Sequence, residues 1–347
     1  MSTTNSLSRL GWSPFFQQQL SLEAWEQFTM GRVFGRHRSM IDVATEQGNQ
    51  SLPITASMPD LTVGDWIVLD SEGRFYQALE RLSLFSRKAP GTKMVAQLIA
   101  ANVDTLFVVS SLNEDFNLNR IERYLALSAE AGVESVVVLT KADLCDDPTV
   151  YISQVQSLDP LLSVEVVNGL DADSVNSLET WCRTGKTVAL LGSSGVGKST
   201  LVNTLLGNSV QATASIRQDD GKGRHTTTMR SLHFMPAGGI LLDTPGMREL
   251  QLFDCEQGVK ETFADINKLA KSCRFSDCHH DNEPGCAVKA AIDNGNMDKR
   301  RLRSYHRLMR EQLLNSASLT EKRARDKALG RFYRSTQKVS QKIKKGS

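Results

Sequence analysis

Three observations predict a multidomain chain with a β-barrel, a central α/β domain and a helical metal-binding end. Between residues 28 and 88, five short strand-like runs (GRVFGRHR, SMIDVAT, LPITA, DWIVLD, FYQALERL) are separated by the turn segments EQGN, PDLTVGD and DSEG. Short strands at that spacing predict a small β-barrel. Between 89 and 256, buried-type runs such as VDTLFVVSS, VESVVVLT, TVALLG and GGILLDT alternate with helical patterns. That alternation predicts a mainly parallel sheet covered on both faces. From 257 to 312 the pattern is helical and is broken by a Cys/His-rich stretch.

The ends are different in kind. Residues 1–27 are polar and Gln-rich, which predicts a loosely held, flexible lead-in. Residues 313–347 form a basic tail. From Lys299 to Ser347 there are 16 Lys+Arg against three acids, so the overall charge of +2 divides into +13 for this stretch and −11 for the rest. An acidic body with a basic end points to a polyanionic partner. No apolar run approaches the ~18 residues of a membrane helix, and the first residues carry no basic-then-apolar signal pattern. Six cysteines in 347 residues are too few for a disulfide scaffold. The expected setting is therefore cytoplasmic, with no membrane.

The strongest local signal is Gly192-Ser193-Ser194-Gly195-Val196-Gly197-Lys198-Ser199, followed by Thr200, between the strand TVALL and the helix STLVNTLLG. Glycines let backbone N–H groups turn onto phosphate oxygens, and the helix that follows points its positive end at them. Lys198 would neutralise the β/γ-phosphates and Ser199 would ligate Mg²⁺. Asp243-Thr244-Pro245-Gly246 follows the strand GGILL. There Asp243 can hold the magnesium shell and Gly246 can donate its N–H to a γ-phosphate.

Thr140-Lys141-Ala142-Asp143 follows VESVVVL. An Asp in that place often caps a helix. It can also accept two hydrogen bonds from guanine N1–H and the 2-amino group, a donor pair that adenine lacks. With the phosphate loop and DTPG beside it, this motif selects GTP over ATP. The order is unusual, because the base motif precedes the phosphate loop. Nearby chain ends allow such a circular permutation without changing a site. Asn168-Gly169 then fall where a base-backing Ser-Ala pair usually sits.

These motifs resemble the circularly permuted ribosome-biogenesis GTPases of the RsgA (YjeQ) family. The resemblance runs over residues ~28–312 and is carried by GRV, VGDW, AANVD, TKADL, GSSGVGKST, GRHTTT, DTPGM and CRFSDCHHDNEPGCAV. It implies an OB-fold barrel, a permuted P-loop GTPase domain and a C-terminal zinc domain. It also implies a protein that binds the small (30S) ribosomal subunit and its 16S rRNA and hydrolyses GTP to GDP there. In GRHTTT, either Thr226 or Thr227 would close on Mg²⁺ and the γ-phosphate. Met247 stands after DTPG, where many GTPases place a water-orienting Gln, and the resemblance favours His225 as the catalytic group in its stead.

Cys273, Cys278, His280 and Cys286 lie within 14 residues. Three thiolates and one imidazole make a closed tetrahedral site, which suits one structural zinc. Arg32, Arg36, His37, Arg38, Arg74, Arg81, Arg87 and Lys88 give the barrel basic groups that fit rRNA. The expectation is a monomeric, ribosome-stimulated GTPase that is slow when free. The rival is an RNA-binding assembly factor that uses GTP only as a ligand switch.

Overall fold

The computed structural model describes residues 6–89, 96–207, 230–243 and 255–316. The N-terminal unit is antiparallel. β1 (Thr29–Arg36) pairs with β2 (Met40–Thr45) and β4 (Trp66–Leu69); β2 pairs with β3 (Gly48–Pro53); β4 pairs with β5 (Phe75–Ala78). Side-chain alternation sends Val33, Ile41, Val43, Leu52, Ile67 and Leu69 to one interior cluster.

The lead-in differs from its expectation. Residues 6–27 carry two short helices, α1 (Pro14–Gln17) and α2 (Leu22–Gln27), the second capped by the Ser21 side chain. They lie on the outer face of β4. Trp12 meets Trp66 edge-on at 4.8 Å between ring centroids, and Phe16 packs on the same ring at 5.7 Å. Strand β4 is consequently buried on both faces, with Trp66 and Val68 under the lead-in and Ile67 and Leu69 in the barrel. The apolar residues scattered through a polar segment gave no periodic signal, so their common target was invisible in the sequence.

The junction near residue 88 is likewise closed. β6 (Leu84–Lys88) and β7 (Ala96–Ala101) pair across it in a separate two-stranded sheet. β12 (Arg230–Phe234) pairs with β1 at Gly35↔Ser231, so the barrel strands continue the central sheet. Arg32, grouped above with the surface cations, is 2% exposed. Its guanidinium donates to the carbonyls of Leu10 (2.6 Å), Asn102 (2.9 Å) and Gly64 (3.4 Å), tying lead-in, barrel and central domain together.

In the central sheet, β10 (Ser163–Val167), β9 (Glu134–Thr140), β8 (Thr105–Ser111), β11 (Thr187–Gly192) and β13 (Ile240–Asp243) run parallel in that spatial order, with β12 antiparallel at the side of β13. α3 (Leu118–Ala131) and α4 (Thr149–Gln156) cover one face. α3 starts on the Asn117 side chain and stops at Gly132 in the left-handed conformation. The other face is covered by α5 (Ala172–Val175), a 3-10 turn (Asn176–Thr180) and α6 (Lys198–Leu206). The sequence predicts one continuous helix where α5 and that turn stand.

Chain order runs outward from β8 to β9 and β10 on one side, and to β11 and β13 on the other. The topological switch point therefore lies between β8 and β11, the place where open α/β sheets bind ligands at their carboxyl edge. Four further helices, α7 (Glu256–Thr262), α8 (Ala264–Ala270), α9 (Ala287–Asp293) and α10 (Lys299–Ser316), pack against the α3 face through Val259, Phe263, Val288, Leu302 and Leu308. α10 extends past the boundary at 312 that the sequence suggests. The basic tail beyond 316 lies outside the described residues.

The lead-in's role as a cover is testable. Phe16→Ala removes a buried ring from beneath Trp66 and is expected to cost about 3–5 kcal/mol, the usual range for such truncations. Urea unfolding should show this as a lower midpoint. An unchanged midpoint would mean residues 6–27 rest on the barrel without stabilising it.

Candidate active site and candidate metal centre

The nucleotide motifs with a described backbone, GSSGVGKS and TKAD, lie at the carboxyl ends of β11 and β9. Gly192 ends β11 and is buried; a Cβ there would stand 2.3 Å from the Val109 carbonyl of β8, so only glycine lets the two strands meet. Gly197 has φ +92°, the left-handed turn that starts α6. Between them, Ser194 and Gly195 are exposed and Val196 is buried. An open cavity of about 400 Å³ lies over the loop, lined by Gly192–Gly195, Gly197, Lys198, Ser199, Thr200 and Tyr124. The Lys198 ammonium donates to the Gly192 carbonyl at 2.8 Å and to that of Ser193.

The base motif meets the phosphate loop directly. Thr140, the last residue of β9, is 1% exposed, and its hydroxyl donates to the Val196 carbonyl at 2.5 Å. The Thr140 hydroxyl thereby joins two loops. Lys141 adopts φ +61°, which leads into the short 3-10 turn Ala142–Leu144 and leaves Asp143 exposed. Asn168 follows β10. Its side chain accepts the Leu170 N–H at 3.1 Å, and its own N–H donates to the Ser174 hydroxyl. The Gly169 carbonyl accepts the Thr204 hydroxyl at 2.6 Å, which fastens this loop to α6. Asp243 is the last residue of β13, beside β11 in register. His225, Thr226, Thr227 and Gly246 lie outside the described residues.

Two residues near the phosphate loop carried no sequence signal, Tyr124 in the cavity wall and Arg120, whose Nη1 donates to the Ser193 hydroxyl at 2.9 Å. Both sit in an ordinary amphipathic helix pattern. The one available clue was that α3 directly follows the strand beside the phosphate-loop strand.

The barrel offers less free positive charge than its basic residues suggest. Arg32 is buried, Arg36 pairs with Asp60, Arg74 with Asp70 and Glu72, and Arg81 with Asp65. His37 lies 2.7 Å from the Asp42 carboxylate.

Cys273, Cys278, His280 and Cys286 come together with their ligand atoms all within 4.8 Å of one another. The Cys273 and Cys286 sulfurs are 3.9 Å apart, and His280 Nδ1 lies 3.6 and 3.4 Å from them. A tetrahedral ion with metal–sulfur bonds of ~2.3 Å has edges of about 3.8 Å, so the donor set fits a metal ion. All four donors are spoken for, which leaves no open position for water. Burial lowers the His280 pKa and keeps its ring neutral for ligation. Glu283 braces the ligand loop by accepting the His279 and Asp281 N–H groups, both at 2.9 Å, and backbone hydrogen bonds hold its pKa down to about 2. His279 is exposed and outside the cluster.

A phosphate loop at the switch point, with a base-reading motif on a preceding strand, defines a phosphate-loop NTPase with permuted strand order. Comparison with known proteins agrees. The RsgA GTPase family model matches residues 78–253. The small ribosomal subunit biogenesis GTPase RsgA 2 of Vibrio parahaemolyticus is 60% identical over 334 residues, covering 96% of this chain and 93% of that protein. The crystal structure of YjeQ from Thermotoga maritima superposes with a TM-score of 0.61 at 25% identity, over 82% of this chain and 99% of that one. YloQ, described as a circularly permuted GTPase, shares the fold at TM-score 0.58 and 23% identity, over 82% of this chain and 94% of that one. The chain belongs to the RsgA GTPase family.

The metal cluster has a direct test. Structural sites of this type contribute roughly 10–16 kcal/mol of apparent binding free energy in small domains. Elemental analysis should find one ion per chain, and Cys278→Ser should lose it and open residues 270–290 to proteases. A metal-free protein with unchanged resistance there would refute the assignment.

Proposed function

We propose that this chain binds the small (30S) ribosomal subunit through its 16S rRNA during late assembly and there hydrolyses GTP to GDP and phosphate. It does so as a cytoplasmic monomer. The observation that carries this reading is the meeting of TKAD and GSSGVGKS at Thr140–Val196, in a chain whose relatives are named for small-subunit biogenesis. No helix among the described residues is long and apolar enough to cross a membrane. Lys299, Arg303, Arg307 and Arg310 form an exposed stripe on α10 that leads into the basic tail, a surface suited to phosphates.

In this reading the loop N–H groups of Gly192–Lys198 and the Lys198 ammonium hold the phosphates. Ser199 and Asp243, at the carboxyl edge of adjacent strands β11 and β13, would hold magnesium, which supplies charge neutralisation when bound. Asp143 reads guanine, and Asn168 and Gly169 back the base. Thr226 or Thr227 and Gly246 close on the γ-phosphate, and His225 orients the attacking water because Met247 cannot. The ion of the Cys₃His cluster is zinc, and its role is structural. An RNA-binding factor that uses GTP only as a ligand switch would need Lys198, Ser199 and Asp243 for binding as well, so turnover is what separates the two readings. GTP turnover with and without purified 30S subunits decides between them; no turnover in either case would favour the rival.

Two variants sharpen the reading. Asp143→Asn should lose on the order of 2–4 kcal/mol of GTP affinity and admit xanthosine triphosphate, whose 2-oxo group pairs with an amide; wild-type GTP affinity would leave TKAD as a mere helix cap. His225→Ala should lower 30S-stimulated turnover by roughly 10²–10⁴ with GTP and 30S affinities nearly unchanged. A loss of affinity together with rate would assign His225 to loop closure instead.

A further inference from the structure

We propose that Arg120 is a positioning residue for GTP hydrolysis: it fixes Ser193, and with it the first half of the phosphate loop, against the first turn of α3. The inference rests on the GTP-hydrolysing reading above. Its starting point is how unevenly the loop is held.

The second half of the loop is anchored from outside the site, since the buried Thr140 hydroxyl grips the Val196 carbonyl. Among the described residues, two side chains hydrogen-bond to the stretch Gly192–Gly195. One is Lys198, on the Gly192 and Ser193 carbonyls. The other is Arg120, on the Ser193 hydroxyl. A bound triphosphate competes with those carbonyls for the Lys198 ammonium, because charged phosphate oxygens are the stronger acceptors. Once Lys198 turns to the phosphates, Arg120 is the side-chain tie that stays.

Arg120 is well placed for that duty. Its Nη1 is shared with the Asp115 carboxylate at 2.5 Å, which fixes the guanidinium from the strand side of α3. One turn further along the helix, Tyr124 lines the phosphate cavity. The helix itself is clamped on its far side. Glu122, fully buried, receives Arg300 and Arg301 from α10, and Arg123 pairs with Glu311. A group on a helix fastened at both faces gives Ser193 a rigid reference.

The loop's N–H groups must point where charge develops in the transition state, and misplacement by about 1 Å can cost 10²-fold in rate. Loosening Ser193 should therefore reduce turnover more than binding. Arg120→Ala is expected to lower kcat roughly 10–100-fold, while KM and the affinity for a fluorescent GDP analogue stay within about threefold. Ser193→Ala should match it, the double variant should be no worse than either single one, and Ser193→Thr, which keeps the hydroxyl, should restore kcat. Lys186→Ala, which breaks an exposed ion pair to Asp104 at the opposite end of β11, should leave kcat unchanged. Wild-type kcat in both Arg120→Ala and Ser193→Ala, or defects that multiply in the double variant, would overturn this proposal alone. A wild-type chain that binds GTP without turning it over would overturn the underlying reading and the proposal with it. Should Arg120→Ala fold poorly, the Ser193→Ala and Ser193→Thr pair carries the test unaided.

Discussion

The hydrogen bond from the Thr140 hydroxyl to the Val196 carbonyl is the contact on which the site depends. It joins the TKAD loop to the phosphate-loop motif, and these leave the sheet on different strands. The carboxyl edge of five parallel strands brings both loops to one place, so the order in which the chain visits the strands does not matter. That is why a permuted chain can carry an ordinary GTPase site: the site is assembled by lateral pairing of β9, β8 and β11, not by chain continuity. Threonine suits the place on two counts. Its β-branch favours the strand end it occupies, and its hydroxyl, at 1% exposure, would be costly to bury without an acceptor.

The parts of the molecule that could be read in advance share one property. Each demands an uncommon residue at a fixed place: glycine where strands nearly touch at Gly192, glycine again at the left-handed turn of Gly197, and cysteines that the fold gathers within 4.8 Å. The alternating strands and helices of the central sheet were legible for the related reason that burial on both faces leaves continuous apolar runs. What could not be read depends on partners far away in the chain. Trp12 and Phe16 look like stray aromatics in a polar leader until Trp66 is placed beneath them. Arg32 looks like a surface cation until its three carbonyl acceptors, from Leu10, Gly64 and Asn102, surround it. Composition records that the arginines of the barrel exist, and geometry shows that three of the six, Arg36, Arg74 and Arg81, are already paired with its own acids.

The C-terminal helices are fixed to the GTPase domain by a similar long-range contact. Glu122 of α3 is fully buried and receives Arg300 through two nitrogens and Arg301 through one, while Asp265 balances Arg301 on its other side. Desolvation offsets much of the attraction in such a cluster, so its contribution to stability is modest. Its effect is on register. Sliding α10 along α3 would leave a carboxylate unpaired in the interior, a far larger penalty than any lost apolar contact. The cluster thereby fixes where the metal-binding segment stands relative to the nucleotide edge.

Helix α3 thus touches both the phosphate loop and the C-terminal helices. Asn119, Glu122 and Arg123 face the C-terminal helices, and Arg120 and Tyr124 face the phosphate loop. Gly258 of α7 closes on the same helix, donating its N–H to Glu130 where any side chain would collide with the Ala126 carbonyl. A helix packed this tightly moves as a body or not at all. Were a partner to displace α7 or α10, the packing of α3 would carry that displacement toward Ser193, and linkage would make the effect mutual. Under the proposed function, a ribosomal surface on the cationic face of α10 would reach Ser193 through α3 and Arg120.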